Sequence, residues 1–198
     1  MHERPRVDMR RGLSGLSRFL ATARVSKHRL FAWLEATTLP DSATIAFARE
    51  DDYFFGVLHS RAHELWALRM GTFLGVGNDP RYTPTTCFET FPFPEPTEQR
   101  AEISEAARRL DRQRRNWLDP EGASESDLKK LTLTNLYNAR PTWLNNAHKK
   151  LDAAVFAAYG WPEDVADEDI LKNLLALNLE RSERSASTPS QAALHTRS

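Results

Sequence analysis

Cysteine is nearly absent from this sequence: Cys87 is the single one in 198 residues. An intrachain disulfide and a cysteine-built zinc cluster are both excluded, which fits a reducing compartment. No apolar run approaches the roughly 18 residues of a membrane span. The basic start, with Arg4, Arg6, Arg10 and Arg11, is followed by no apolar core of a signal peptide. A cytoplasmic protein without a membrane partner is therefore expected. Net charge is also missing, since 27 Lys and Arg balance 27 Asp and Glu. The total neither demands nor excludes a nucleic-acid partner, so the distribution of charge has to decide. There is no internal repeat.

What is present is a globular balance, with 40% hydrophobic and 27% charged residues. Residues 1–17 are polar and basic and read as a poorly ordered lead-in. From Arg18 to about Leu58 the pattern is strand-like, with short apolar runs at Leu30–Leu34 and Thr44–Arg49 separated by the turn Leu39-Pro40-Asp41. The period then becomes helical through Leu58, Ala62, Leu65, Trp66 and Arg69, predicting one prominent helix over about 57–70 closed by Gly71. Gly71–Thr86 is loop chemistry. In Phe88–Pro96 (FETFPFPEP), Phe alternates with Pro, which predicts an extended strap pinned by its rings. After it the pattern is helical: Glu98–Leu118, a capping signature at Ser124-x-x-Asp127, a helix opened by Pro141 and closed by Gly160, and Asp167–Leu179. The expected fold class is α+β. A small mixed or antiparallel sheet with the prominent helix makes up residues 18–96, an all-helical subdomain residues 97–180, and a disordered tail residues 181–198.

Several constellations carry chemistry, each beside a plainer reading. Residues 1–36 hold eight cations against three carboxylates, a local excess inside a neutral chain. Arg24, Ser26, Lys27, His28 and Arg29, with Thr22, are candidates for phosphate contact; a solvated charged loop is the alternative. In Asn78–Thr86 (NDPRYTPTT), Arg81 can donate twice to a guanine edge. Tyr82 can stack or donate, and Thr83, Thr85 and Thr86 can meet phosphate or a thymine methyl. The alternative is an Asx-Pro turn with surface polar residues. His59 and His63 share a helix face, but the order His-x-x-x-His-Glu without a third ligand favours packing over metal. Pro40-Asp41 with Glu50, Asp51 and Asp52 lacks the lysine of a metal nuclease and reads as a solvated acidic corner. Arg108, Arg112 and Arg115 share a helix face that can touch backbone phosphate; a solvated face, with Glu105–Arg109 as a spaced ion pair, is the plainer reading. The dense polar and aromatic run Thr134–Trp143 reads as an anchor that locks the helical tail onto the recognition domain, with DNA contact as the alternative.

Four stretches taken together resemble the MmeI-like, type IIL DNA methyltransferases, in that family's order. They are ATARVSKHRLFAWL (21–34), LPDSATIAFAREDDYFFGVLHSRAHELWAL (39–68), GVGNDPRYTPTTCFETFPFP (75–94) and LTNLYNARPTWLNNAHKKLDAAVFAAYGW (133–161). The resemblance covers roughly residues 10–182, and it is to the target-recognition region and helical tail that follow the catalytic domain in that family. It implies double-stranded DNA as a partner and, in the stretch before the Phe-Pro strap, base-reading positions that vary between relatives. It also implies S-adenosylmethionine-dependent adenine methylation by a catalytic domain. That chemistry needs an Asn/Asp-Pro-Pro-aromatic loop to hold the flipped adenine. Asn78-Asp79-Pro80-Arg81 lacks the second proline and the aromatic, and Gly75-Val76-Gly77 stands after a helix rather than a strand. The expectation is a recognition portion with no cofactor of its own, S-adenosylmethionine belonging to a catalytic domain or subunit elsewhere. A truncated remnant and a helical protein-docking module remain as alternatives.

Overall fold

The computed structural model describes residues 7–74, 79–95 and 98–187. Arg4 and Arg6, the Gly75–Asn78 stretch and the expected tail from Thr188 onward lie outside them. The architecture is α+β. A three-stranded antiparallel sheet, ordered β2-β1-β3, comprises β1 (Arg18–Ala23), β2 (Phe31–Glu35) and β3 (Thr44–Phe47). In register, Leu20 faces Trp33 on one side and Phe47 on the other.

The central strand is apolar on both faces because both are covered. Successive side chains alternate, so Leu20 enters the main core while Phe19 and Ala21 join a smaller cluster with Leu13. Leu13 ends α1 (Val7–Leu13), which closes the outer face of the sheet. The lead-in expected to be poorly ordered therefore contains a helix, held by the burial of Leu13.

The aromatic run Tyr53-Phe54-Phe55, expected as the end of a strand-like stretch, lies in a helix, α2 (Asp52–His59). Asp51 caps it by accepting from the Phe54 amide at 3.0 Å. Ser60 then ends α2 and caps α3 (Arg61–Met70), so two helices stand where one was expected. A hairpin follows, β4 (Thr72–Leu74) with β5 (Asp79–Arg81), so a short strand and not the expected helix directly precedes Gly75; then comes a wide π-type turn at Pro84–Phe88. That turn takes Phe88 out of the extended strap.

The strap proper starts at Phe91. Its prolines have no N–H and leave its carbonyls without ladder partners. Side chains take them up: Tyr53 donates to Pro94 O (3.2 Å), Tyr159 to Pro92 O (2.9 Å) and Arg181 to Phe93 O (2.7 Å). The rings bind it from the other side, with Phe93 stacked on Phe54 at 5.5 Å and Phe91 edge-on to His63 at 4.9 Å.

The rest is helical, as the sequence predicts: α4 (Arg100–Leu118), α5 (Glu125–Leu128), α6 (Leu133–Ala139), α7 (Thr142–Tyr159) and α8 (Asp167–Ser187). Ser124 caps α5 through the Asp127 amide, and Gly160 closes α7 in the left-handed conformation. Helix α8 runs eight residues past the expected Leu179, where Arg181 is tied to the strap at Phe93 O; one turn earlier Asn178 donates to Thr90 O. The boundary expected at residue 96 does not divide the core. One buried cluster runs from Leu20 of the sheet to Leu174 of α8. Helix α4 seats against α2 at Gly56, where a Cβ would fall 2.8 Å from Ile103 Cγ2. Among the described residues no helix is long and apolar enough to cross a membrane.

Candidate nucleic-acid interface

The two segments singled out in the sequence, residues 24–29 and 81–86, are joined. The Tyr82 amide donates to Arg24 O (2.8 Å) and the Ser26 amide to Pro80 O (3.3 Å), while Val25 and Arg81 form an isolated antiparallel bridge. The loop leaving β1 thus acts as a third strand beside β5. Chemistry from both ends of the expected recognition region meets on one rim.

Arg29 is the fastener of that rim. It is 7% exposed. Its guanidinium donates to Thr22 Oγ1 (3.1 Å), to Ala23 O and to Pro80 O (3.0 Å), and stands 5.0 Å over the Tyr82 ring. Burial pulls its pKa below the ordinary arginine value, with the Tyr82 and Cys87 groups acting the other way. So enclosed, Arg29 is not a free phosphate ligand but a support for β5.

Tyr82 is also internal, at 1% exposure. His63 Nδ1 lies 2.9 Å from Leu58 O, a pure acceptor, so Nδ1 carries the proton. Nε2 is then the acceptor for the Tyr82 hydroxyl at 3.0 Å. Burial pushes the Tyr82 phenol up and the His63 imidazole down to about 3. The expectation that Tyr82 stacks on a base or donates to it is corrected: both its ring and its hydroxyl are spent inside the core.

The other candidates lie nearer solvent. Arg81 is half-buried; its Nε is enclosed and has no hydrogen-bond partner among the described residues. The Thr83 and Thr85 hydroxyls also take no partner there, while Thr86 Oγ1 turns back to Thr83 O at 3.4 Å. Arg24 leans on Ser42 O (3.1 Å) and the Ser26 hydroxyl on His28 O (2.8 Å). Lys27 Nζ and His28 Nε2 converge on Asn138 Oδ1 at 2.8 and 2.9 Å, linking this loop to α6. Within the Thr134–Trp143 run, Asn138 reaches the rim through these bonds and Tyr137 lies with its ring 6.0 Å from that of His28. What the sequence reading passed over is Phe73 and Leu74, which the hairpin holds out in solvent.

The remaining constellations have internal partners. Burial holds His59 well below the ordinary histidine pKa, so it is neutral. Its Nε2 lies 2.8 Å from Phe31 O and 2.9 Å from Arg114 Nη1, and Arg114, 2% exposed, donates to the same Phe31 O at 2.8 Å. Glu50 receives the Ser17 amide and hydroxyl, and Asp52 pairs with Arg18 at 2.8 Å. Glu105 pairs with Arg108 at 2.8 Å, not with Arg109. Among the described residues no group of three His, Cys, Asp or Glu is placed to hold a metal. A cleft of about 520 Å³ lies apart from the rim, lined among others by Arg61, Lys149, Asp152 and Asp167.

Compared with known proteins, no family model matches the chain. A stretch of 135 residues, 67% of the chain, is 36% identical to DNA methyltransferase A of Bacillus subtilis (strain 168), of which it spans 14%. The fold matches the type IIL restriction-modification enzyme MmeI, solved in complex with DNA, with a TM-score of 0.68 and 23% identity. That match covers 84% of this chain and 22% of the enzyme. The chain is thus similar in sequence to part of a DNA methyltransferase and shares the fold of part of a restriction-modification enzyme.

Proposed function

We propose that this chain recognises a sequence in double-stranded DNA on behalf of an S-adenosylmethionine-dependent adenine methyltransferase, whose catalytic domain or subunit lies outside it. The observation that carries the reading is the rim itself. Residues 24–29 and 80–86 are fastened to each other by main-chain bonds and by Arg29. They present Arg81, Thr83 and Thr85 beside Lys27 and His28. Cations near phosphates position a duplex, whereas Arg at a base edge selects a site. A DNA methyltransferase as a sequence relative and a DNA-bound enzyme as a fold relative support the same reading.

The residues here do not fit the methyl-transfer chemistry. In the nearest string to an Asn-Pro-Pro-aromatic loop, Asp79-Pro80-Arg81 is strand β5, and Pro80 O is already held by Arg29 and Ser26. The target amine of a flipped adenine would find both lone pairs of that carbonyl already taken. Binding of the cofactor and base flipping belong, on this reading, to the partner.

The test is retention of a random duplex pool by the purified chain across a salt series, followed by sequencing. Enrichment of a short motif, with affinity falling steeply with salt, is the expected result. A folded sample that retains no duplex would overturn the proposal and favour a protein-docking role, for which Leu175 and Leu179 exposed on α8 are the candidate surface.

A further inference from the structure

The β4–β5 hairpin wears its apolar residues outward. Phe73 is 50% and Leu74 52% exposed, and every residue of β4 is exposed. Strand β5 is held on its other side by residues 24–26, so among the described residues β4 is the free edge of a ribbon. Neighbouring side chains on a strand point to opposite faces, so Phe73 and Leu74 lie on different faces of the ribbon and neither face is packed away. The root, by contrast, is closed tightly. Gly71 donates its N–H to Ala67 O at 2.9 Å, and a Cβ there would come within 2.6 Å of Ala67 O and 2.7 Å of Arg81 O. A firmly rooted ribbon with apolar groups on both faces and a bare edge is a surface that needs a partner.

The surroundings say which. Arg81 stands on the same ribbon, opposite Thr72, with an enclosed Nε that lacks a hydrogen-bond partner among the described residues. Exposed Arg69 precedes the root and exposed Lys27 stands on the joined loop. Cations flanking exposed apolar side chains match a polymer with charge outside and apolar surface within. A two-stranded ribbon, its strands about 5 Å apart, enters a major groove about 12 Å wide.

We infer that the β4–β5 hairpin inserts into a groove of duplex DNA, with Leu74 against apolar base surface, Arg81 on the same face of the ribbon at a base edge, and Phe73 on the opposite face. The inference rests on the DNA-recognition reading above and adds to it a mode of entry. The apolar base surface is either the thymine methyl or the face of a base at an opened step.

The experiment uses the full chain and the duplex it enriches from the random pool. The Phe73→Ser/Leu74→Ser double variant, checked for an unchanged thermal midpoint, is titrated with that duplex across the salt series. Its affinity falls by about tenfold, the scale of one lost apolar contact to a base. The salt slope stays that of the parent, because neither residue neutralises a phosphate. Two probes separate the sources. Uracil in place of thymine weakens the parent but not the variant if methyls are touched. A fluorescent 2-aminopurine brightens with the parent but not the variant if a step is opened. Parent-like affinity of the folded double variant overturns the inference, as does a duplex insensitive to both probes. A parent chain that retains no duplex refutes the DNA reading itself, an outcome separate from failure of the hairpin.

Discussion

Replacing Arg29 with Met keeps the length and apolar stem of the side chain and removes the guanidinium. Three acceptors lose their donor: Thr22 Oγ1, Ala23 O and Pro80 O. Hydrogen bonds to a charged donor contribute about 1.5–3 kcal/mol each, so the gross loss is about 5–9 kcal/mol. Two effects offset it. The desolvation of a buried cation, which also lowers the Arg29 pKa, is recovered and amounts to several kcal/mol. Pro80 O also keeps the Ser26 amide at 3.3 Å. A net loss of about 2 kcal/mol remains, which lowers the urea midpoint by about 1 M at an ordinary m-value. Hydrogen exchange should show where. The Tyr82 amide, bonded to Arg24 O, should lose protection more than amides of α7. The salt slope of DNA binding should not change. An unchanged midpoint with an intact Tyr82 amide would refute the fastener role. A folded variant whose salt slope dropped by about one contact would instead place Arg29 on a phosphate.

The other predictions concern the core and its titrating groups. Gly56→Val drives a branched side chain into Ile103 and Ala107 and should destabilise by about 2–3 kcal/mol, read as a thermal midpoint shift. Burial holds His63 at about 3 and His148 at about 4, both below the unfolded value of about 6.5. The stability they contribute is complete above that value and is lost as pH falls, by about 2 kcal/mol each between pH 7.5 and 5. Urea midpoints at the two pH values check it. Asp152 runs the opposite way: burial raises it to about 6, against the Arg61 amide it accepts at 2.7 Å. Its charge therefore opposes folding above about pH 6 and the cost fades on acidification. Asp152→Asn should stabilise at pH 7.5, with the gain shrinking by about 1 kcal/mol at pH 5.

Much of the helical half was legible because its signals are local. Leu144, Ala147, Leu151, Val155 and Ala158 repeat at helical spacing, and Ser124 and Gly160 punctuate as caps. Helix α2 carries a strand-like signal in its sequence because Tyr53, Phe54 and Phe55 have high strand propensity; the local sign against a strand is Asp51, a capping residue. The positions of Arg29, Tyr82 and Arg114 were not legible. Nothing in a polar or basic run says that one member turns inward, since burial of a polar side chain is decided by partners far along the chain. Arg29 meets Pro80 across 51 residues and Arg114 meets Phe31 across 83. The approach of residues 24–26 to 80–82 was likewise invisible, being made mainly between backbone atoms that carry no residue-specific signature.

That same backbone fastening bears on how such a surface can change over generations. The Tyr82 amide to Arg24 O and the Ser26 amide to Pro80 O form without regard to the side chains at 24, 26 and 81. Arg81, Thr83 and Thr85 can be exchanged while the frame beneath them, pinned by Arg29 and Tyr82, persists. Single substitutions on the rim are thus nearly free of folding penalty, whereas substitutions one layer down are not. If the rim reads DNA as proposed, a lineage carrying this design can wander through new ligand preferences in small steps, each leaving a folded protein for selection to act on.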